Sequence, residues 1–226
     1  MSRQGIIFDL DGTLWDSSEA VVQSWNEVIR TFPDFHELIS VEKMQSYMGM
    51  PMDEIAYAFF LGLSKPRALE LMDICMANEN AYILRNGGRL FAGLEDTLKK
   101  LRENYFLAIV SNCQKGYIEA FLTYHRMENY FQDIESYGNT GLQKGDNIRL
   151  VMERDRIDSA VYVGDTMGDY TETMRAAQEL SSSQPPLKLQ FLHAAYGFGK
   201  VPEGTAFISD ITELPDAVER LLGSPQ

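Results

Sequence analysis

The carboxylates Asp9 and Asp11 stand two residues apart, directly after the apolar run Ile6-Ile7-Phe8 and before Gly12-Thr13-Leu14. Two carboxylates about 4 Å apart repel by roughly 4 kcal/mol at an effective dielectric near 20. A chain that keeps both at the end of a strand therefore adds a cation or a shared proton. Other groups with chemical potential recur further along: Ser111-Asn112 after a second apolar run, Lys144, and Asp165-Thr166 with Asp169 after Val161-Tyr162-Val163-Gly164. Each has an ordinary structural role when taken singly, as a cap, a turn residue or a surface charge. Together they put carboxylates, a hydroxyl and a lysine at strand ends, where open α/β sheets bind ligands. Carboxylates at one rim suit Mg²⁺, which takes one or two of them together with substrate phosphate. A lysine and a hydroxyl beside such a metal make a phosphoryl site. No cysteine or serine–histidine pair offers itself as a nucleophile, but an aspartate can serve.

These groups need elements to hold them. Residues 6–8 read as a buried strand. Helical spacing of Val21, Val22, Trp25, Val28, Ile29 and Phe32 predicts a helix over 17–31, with Asp16 and Glu19 patterned like a capping box. Further helices are expected over 40–48, 52–61 and 66–85, stopped at Asn86-Gly87-Gly88, with no strand pattern among them. From residue 94 the pattern alternates. Helices are expected over 94–103, 114–124, 145–155, 168–179 and 214–222, and strands over 105–110, 133–137, 160–163, 187–194 and 206–208. Alternation of this kind predicts an α/β fold, a doubly wound and mostly parallel sheet of Rossmann-like type with helices on both faces. The first strand and the next lie about a hundred residues apart, far more than a crossover needs. Residues 16–87 are thus expected to form an inserted all-helical cap, and 1–15 with 88–226 an α/β catalytic core. Tyr47, Met48, Met50 and Met52 fall on a loop placed either to face the site or to fill the cap's own core.

At 226 residues and 45% hydrophobic the chain can bury a sizeable core. Its net charge of −13 works against a polyanionic partner, so nucleic acid is excluded as a substrate class. Cys75 and Cys113 match neither a metal-ligand nor a disulfide pattern, which fits a reducing cytoplasm. No apolar stretch reaches the roughly 18 residues of a membrane span, and no signal-peptide pattern precedes the first strand. His36, His125 and His193 have no ligand-spaced partners and read as structural.

In Phe8-Asp9-Leu10-Asp11-Gly12-Thr13-Leu14, Val110-Ser111-Asn112, Lys144 and Val163-Gly164-Asp165-Thr166-Met167-Gly168-Asp169, the chain resembles the haloacid dehalogenase-like hydrolases. The likeness is to the helical-cap phosphatase branch, nearest to the phosphoglycolate phosphatase-like group. It implies a Mg²⁺-dependent phosphatase of a small phosphomonoester metabolite. Asp9 would be the nucleophile that forms an aspartyl-phosphate, and Asp11 the acid and then base. Thr13, Ser111, Asn112 and Lys144 would bind the substrate, and Lys144 would also act in catalysis by balancing the charge of nucleophile and phosphate. Asp9, Asp165 and the main-chain carbonyl of Asp11 would hold the metal, with Asp169 behind them. A phosphosugar mutase resembling β-phosphoglucomutase, and a non-catalytic phosphate-binding protein on the same fold, are the alternatives. The region 180–186 looks longer than the family's usual connection.

Overall fold

Three apolar residues in unbroken succession suit a strand covered on both faces, and Gln4–Phe8 forms β1 at the heart of the sheet. The structure, a computed structural model, describes residues 3–224. The other strands are β2 (Trp15–Asp16), β3 (Arg89–Leu90), β4 (Phe106–Ser111), β5 (Asp133–Ser136), β6 (Ser159–Gly164), β7 (Lys188–Ala194) and β8 (Phe207–Ile208). Six of them build one sheet in the order β5-β4-β1-β6-β7-β8, every neighbouring pair parallel. Counted within that sheet the order is 3-2-1-4-5-6, so the chain reverses its direction of growth between β1 and β6. Phe8 is in register with Ile109 on one side and Val163 on the other. The carboxyl ends of β1, β4 and β6 therefore finish level, at the crevice where such sheets bind ligands.

Side chains alternate across a strand, which divides β1 between two cores. Ile7 lies with Val110 and Tyr162 under Ile148, Val151 and Ala176, residues of α8 (Lys144–Arg154) and α9 (Met167–Ser181). Ile6 and Phe8 face Leu98, Phe121 and Val218, which come from α5 (Leu94–Leu101), α6 (Tyr117–His125) and α10 (Leu214–Leu222). Between β2 and β3 come α1 (Ser18–Ile29), α2 (Val41–Gln45), α3 (Met52–Phe59) and α4 (Lys65–Asn86). Their buried Val21, Trp25, Phe59 and Leu71 continue the second core through Trp15. Among the described residues no helix is long and apolar enough to cross a membrane.

Several local expectations need correction. Trp15–Asp16 and Arg89–Leu90 pair as an antiparallel ribbon where the chain enters and leaves the helical segment. Strands of two residues show no periodicity, so pattern could not find them. Asp16 does not begin a capping box with Glu19. Its carboxylate accepts the Ser18 N–H at 3.1 Å and pairs with Arg89 at 2.7 Å, closing the ribbon onto α1. The helix expected over 40–48 ends at Gln45, and the chain turns at Gly49 with φ +85°. A four-residue helix α7 (Tyr137–Thr140), not anticipated, follows β5. Ser111 is the last residue of β4 rather than the first after it, and Lys144 is the first residue of α8 rather than a connector.

Candidate active site

Asp9 leaves β1 with its N–H donated to the Val163 carbonyl at 2.8 Å, so sheet pairing fixes where its side chain starts. The chain then curls back on itself, with Leu14 N–H donating to the Leu10 carbonyl at 2.9 Å. Gly12 is required there twice over. Its φ is +79°, and a Cβ at this position would lie 2.3 Å from Asp165 Oδ2. Asp165 follows β6, the strand next to β1, and its Oδ2 accepts the Phe198 N–H at 2.7 Å. The loop after β7 approaches so closely that a Cβ on Gly197 would meet Asp165 Cβ at 2.3 Å.

Lys144, 1% exposed, reaches Asp9 Oδ1 at 3.0 Å and Asp169 Oδ1 at 2.5 Å. The other oxygen of Asp169 is taken by the Thr166 N–H at 2.9 Å and the Thr166 hydroxyl at 2.7 Å, and Thr166 in turn caps α9 through the Asp169 N–H. Both oxygens of Asp169 are thus committed to protein donors. Burial works against its charge, but Lys144 and Thr166 hold its carboxyl below the usual range. Burial likewise opposes the Lys144 ammonium, yet Asp169 and Asp9 hold it above the ordinary lysine range. Asp9 is pushed up to about 7 by burial and by the charge of Asp169, against the pull of Lys144. Burial and the charges of Asp169 and Asp9 push Asp165 well up too.

Asp9, Asp165 and Asp169 each bring a carboxylate oxygen to within 4.8 Å of the others. They face one ammonium, which leaves an excess of two negative charges in a buried cluster, the charge of one divalent cation. Asp165 Oδ1 is buried without any hydrogen bond, a condition native proteins rarely leave unexplained, and Asp9 Oδ1 has only the Lys144 ammonium. An all-oxygen donor set of this kind fits a hard divalent cation. The carboxylate of Asp11 is not a member of that group among the described residues. It accepts hydrogen bonds from the Ser17 hydroxyl and, at 2.9 Å, from the Tyr117 hydroxyl, and burial raises its pKa against those two bonds. The two neighbouring aspartates therefore occupy different environments, the arrangement that separates a nucleophile from an acid and base.

Ser111 and Asn112 line a cleft above Asp9 and Asp11, together with Tyr47, Met48, Met50 and Met52 from the helical segment. Asn112 spends its amide N–H on the Gly49 carbonyl at 2.8 Å, tying the α2–α3 loop to the sheet edge. Thr13 is fully buried with its hydroxyl unpartnered, and its carbonyl accepts the Tyr196 hydroxyl at 2.9 Å. Sequence reading missed Ser17 and Tyr117 on Asp11, the Phe198 N–H on Asp165, and Glu79. Glu79, inside α4, lines the same cleft while accepting from Trp25 Nε1 and, at 3.0 Å, from Gln114 Nε2. Its helical register with Ala68, Leu71, Met72, Cys75 and Ile83 was the one available signal for Glu79. The rest are long-range contacts with no local signature.

The family model described as haloacid dehalogenase-like hydrolase matches residues 6–180. A phosphoglycolate phosphatase of Photobacterium profundum is 25% identical over 180 residues, covering 73% of this chain and 76% of its own. A haloacid dehalogenase-like family hydrolase of Streptococcus pneumoniae superposes with a TM-score of 0.76 at 22% identity, over 96% of this chain and 98% of that one. CbbY of Rhodobacter sphaeroides, solved as a mutant with xylulose 1,5-bisphosphate, gives a TM-score of 0.75 at 16% identity over 95% and 96% of the two chains.

Proposed function

The chain belongs to the haloacid dehalogenase-like hydrolases, and on that premise we propose that it hydrolyses a small phosphomonoester through an aspartyl-phosphate on Asp9. The observation that carries this reading is the division of labour between Asp9 and Asp11. Asp9 lies beside Lys144 in the carboxylate cluster, whereas Asp11 is held apart by Ser17 and Tyr117 with its pKa raised. An Asp9 oxygen attacks phosphorus as the bond from phosphorus to the alcohol oxygen breaks, and Asp11 gives its proton to that oxygen. Asp11 then takes a proton from the water that attacks the aspartyl-phosphate, so inorganic phosphate leaves and Asp9 is restored. Lys144 and the Ser111 hydroxyl balance and position the phosphoryl oxygens. Asp9, Asp165 and the Asp11 carbonyl would hold Mg²⁺, with Asp169 fixing Lys144 and the Asp165 turn behind them. When bound, such a cation supplies charge neutralisation for the transferring group.

In this reading residues 1–15 and 88–226 are the catalytic core and 16–87 the cap that closes over it. The mutase alternative needs a cation for the second phosphate of a bisphosphate, as in the ligand held by CbbY. All five basic residues of 16–87 are engaged or exposed elsewhere. Arg30 donates to the Asn26 carbonyl, Lys43 and Lys65 lie over the rings of Tyr47 and Tyr57, Arg67 pairs with Asp34, and Arg85 is exposed. Hydrolysis of a monophosphate is favoured accordingly. Phosphate release from a panel of small phosphomonoesters, with Mg²⁺ and after EDTA, tests the proposal. Release that depends on Mg²⁺ and disappears in Asp9→Asn is expected. Activity retained by Asp9→Asn, or isomerisation of glucose 1-phosphate faster than hydrolysis, overturns it.

A further inference from the structure

The cleft above Asp9 and Asp11 holds an acid that the chemistry does not use. Glu79 is 4% exposed and lies among Trp25, Met44, Met48 and Ile55, in a lining that among the described residues includes no lysine, arginine or histidine. Lys144 sits behind Asp9 and is committed to two carboxylates. Trp25 and Gln114 give Glu79 one neutral donor on each oxygen, which leaves a lone pair on each and no counter-charge. Burying a carboxylate without a cation costs several kcal/mol, and burial pushes this one up to about 7, with a further rise from the charge of Asp11. A chain that sustains such a cost inside its reaction cleft has put the group where a ligand meets it.

Orientation follows from the fold. The phosphoryl group belongs at the sheet edge, near Asp9, Ser111 and Lys144, so the alcohol side of an ester extends toward the helical segment that carries Glu79. Resting on the phosphomonoesterase reading, we propose that Glu79 selects the leaving group: it accepts a hydrogen bond from a hydroxyl or ammonium on the alcohol side, and it excludes esters whose alcohol side carries a carboxylate or a second phosphate. The same rule separates this enzyme from the phosphoglycolate phosphatases it is similar to, since phosphoglycolate carries a carboxylate at that end. With no basic side chain in the lining to meet it, that carboxylate would face Glu79 across a water-poor cleft, and like charges so placed cost several kcal/mol.

The test uses the protein with Mg²⁺ at about pH 8, where Glu79 carries its charge, and four substrates: the acyl phosphate acetyl phosphate and the esters glycerol 1-phosphate, phosphoethanolamine and phosphoglycolate. Wild type is expected to show a kcat/KM for glycerol 1-phosphate or phosphoethanolamine at least about tenfold above that for phosphoglycolate, the equivalent of roughly 1.4 kcal/mol. In Glu79→Gln that ratio should shrink by about tenfold or more, because the amide removes the repulsion and weakens the acceptor. Phosphoglycolate as the preferred ester of the wild type overturns the proposal without any variant. So does a ratio unchanged in a folded Glu79→Gln protein, the mark of a purely structural carboxyl. Failure of wild type to hydrolyse any of the four, acetyl phosphate included, would instead strike the phosphatase reading itself.

Discussion

Replacing Glu79 with glutamine is expected to stabilise the protein in alkaline solution and to leave it nearly unchanged in acid. The carboxyl is pushed from an ordinary 4.5 up to about 7 by burial, against the bonds from Gln114 and Trp25. Below the unfolded value the group is protonated in both states and costs nothing. As pH rises the unfolded chain releases its proton first, while the native state keeps it until about 7. Stability is therefore lost across that window, and a shift of this size amounts to about 3 kcal/mol once complete. Glutamine removes the titration but not the packing. Its carbonyl still accepts from Trp25, whereas its amide meets Gln114 Nε2, and turning the Gln114 amide gives up its bond to Asn80 Oδ1 at 3.1 Å. That lost bond costs about 1 kcal/mol. The net expectation is near-equality at about pH 5 and a gain of about 2 kcal/mol for the variant at about pH 8.5. Urea unfolding followed by circular dichroism at both pH values measures it, and the other titrating groups largely cancel in the difference. A difference independent of pH, or one that grows in favour of wild type as pH rises, would refute the reasoning.

Lys144→Met leaves Asp9 and Asp169 buried without their ammonium, so turnover should collapse and stability fall by about 3–5 kcal/mol; a loss under about 1 kcal/mol in urea unfolding would show the ion pairs to be dispensable. Mg²⁺ should raise the melting temperature of wild type more than that of Asp165→Ala, since a cation bound only by the native state stabilises it; equal shifts would remove Asp165 from the cation's ligands. Gly12→Ala would force a Cβ to 2.3 Å from Asp165 Oδ2 at a φ of +79°. It should therefore abolish the Mg²⁺-dependent thermal shift as well as activity, and a wild-type shift in this variant would show that the approach of the loop to Asp165 is not needed.

The carboxyl ends of the strands were legible in the residues themselves. An apolar β-prone run ending in a polar side chain is a local signal, and it recurs at Asp9, at Ser111 and at Asp165. The order of these runs, with helical spacing between them, is enough to predict a parallel sheet with one polar rim. Even the long helical stretch before the second run announces itself, because no crossover needs so many residues. What could not be read is how the rim is wired. Asp9 and Asp11 look alike in sequence, and only tertiary contacts divide them: Lys144 comes from α8 to one, and Ser17 and Tyr117 come from α1 and α6 to the other. Asp169 reads as first-turn helix charge, and so it is, but the same carboxylate also holds Lys144. Glu79 is the strongest case, one of three acids on α4 with Glu70 and Asp73, given its chemistry only when that helix folds across the cleft and water is excluded. Periodicity and turn chemistry act between residues a few positions apart and so are written in the sequence. Burial, field and charge pairing depend on which distant segments meet, and they exist only once the chain has folded.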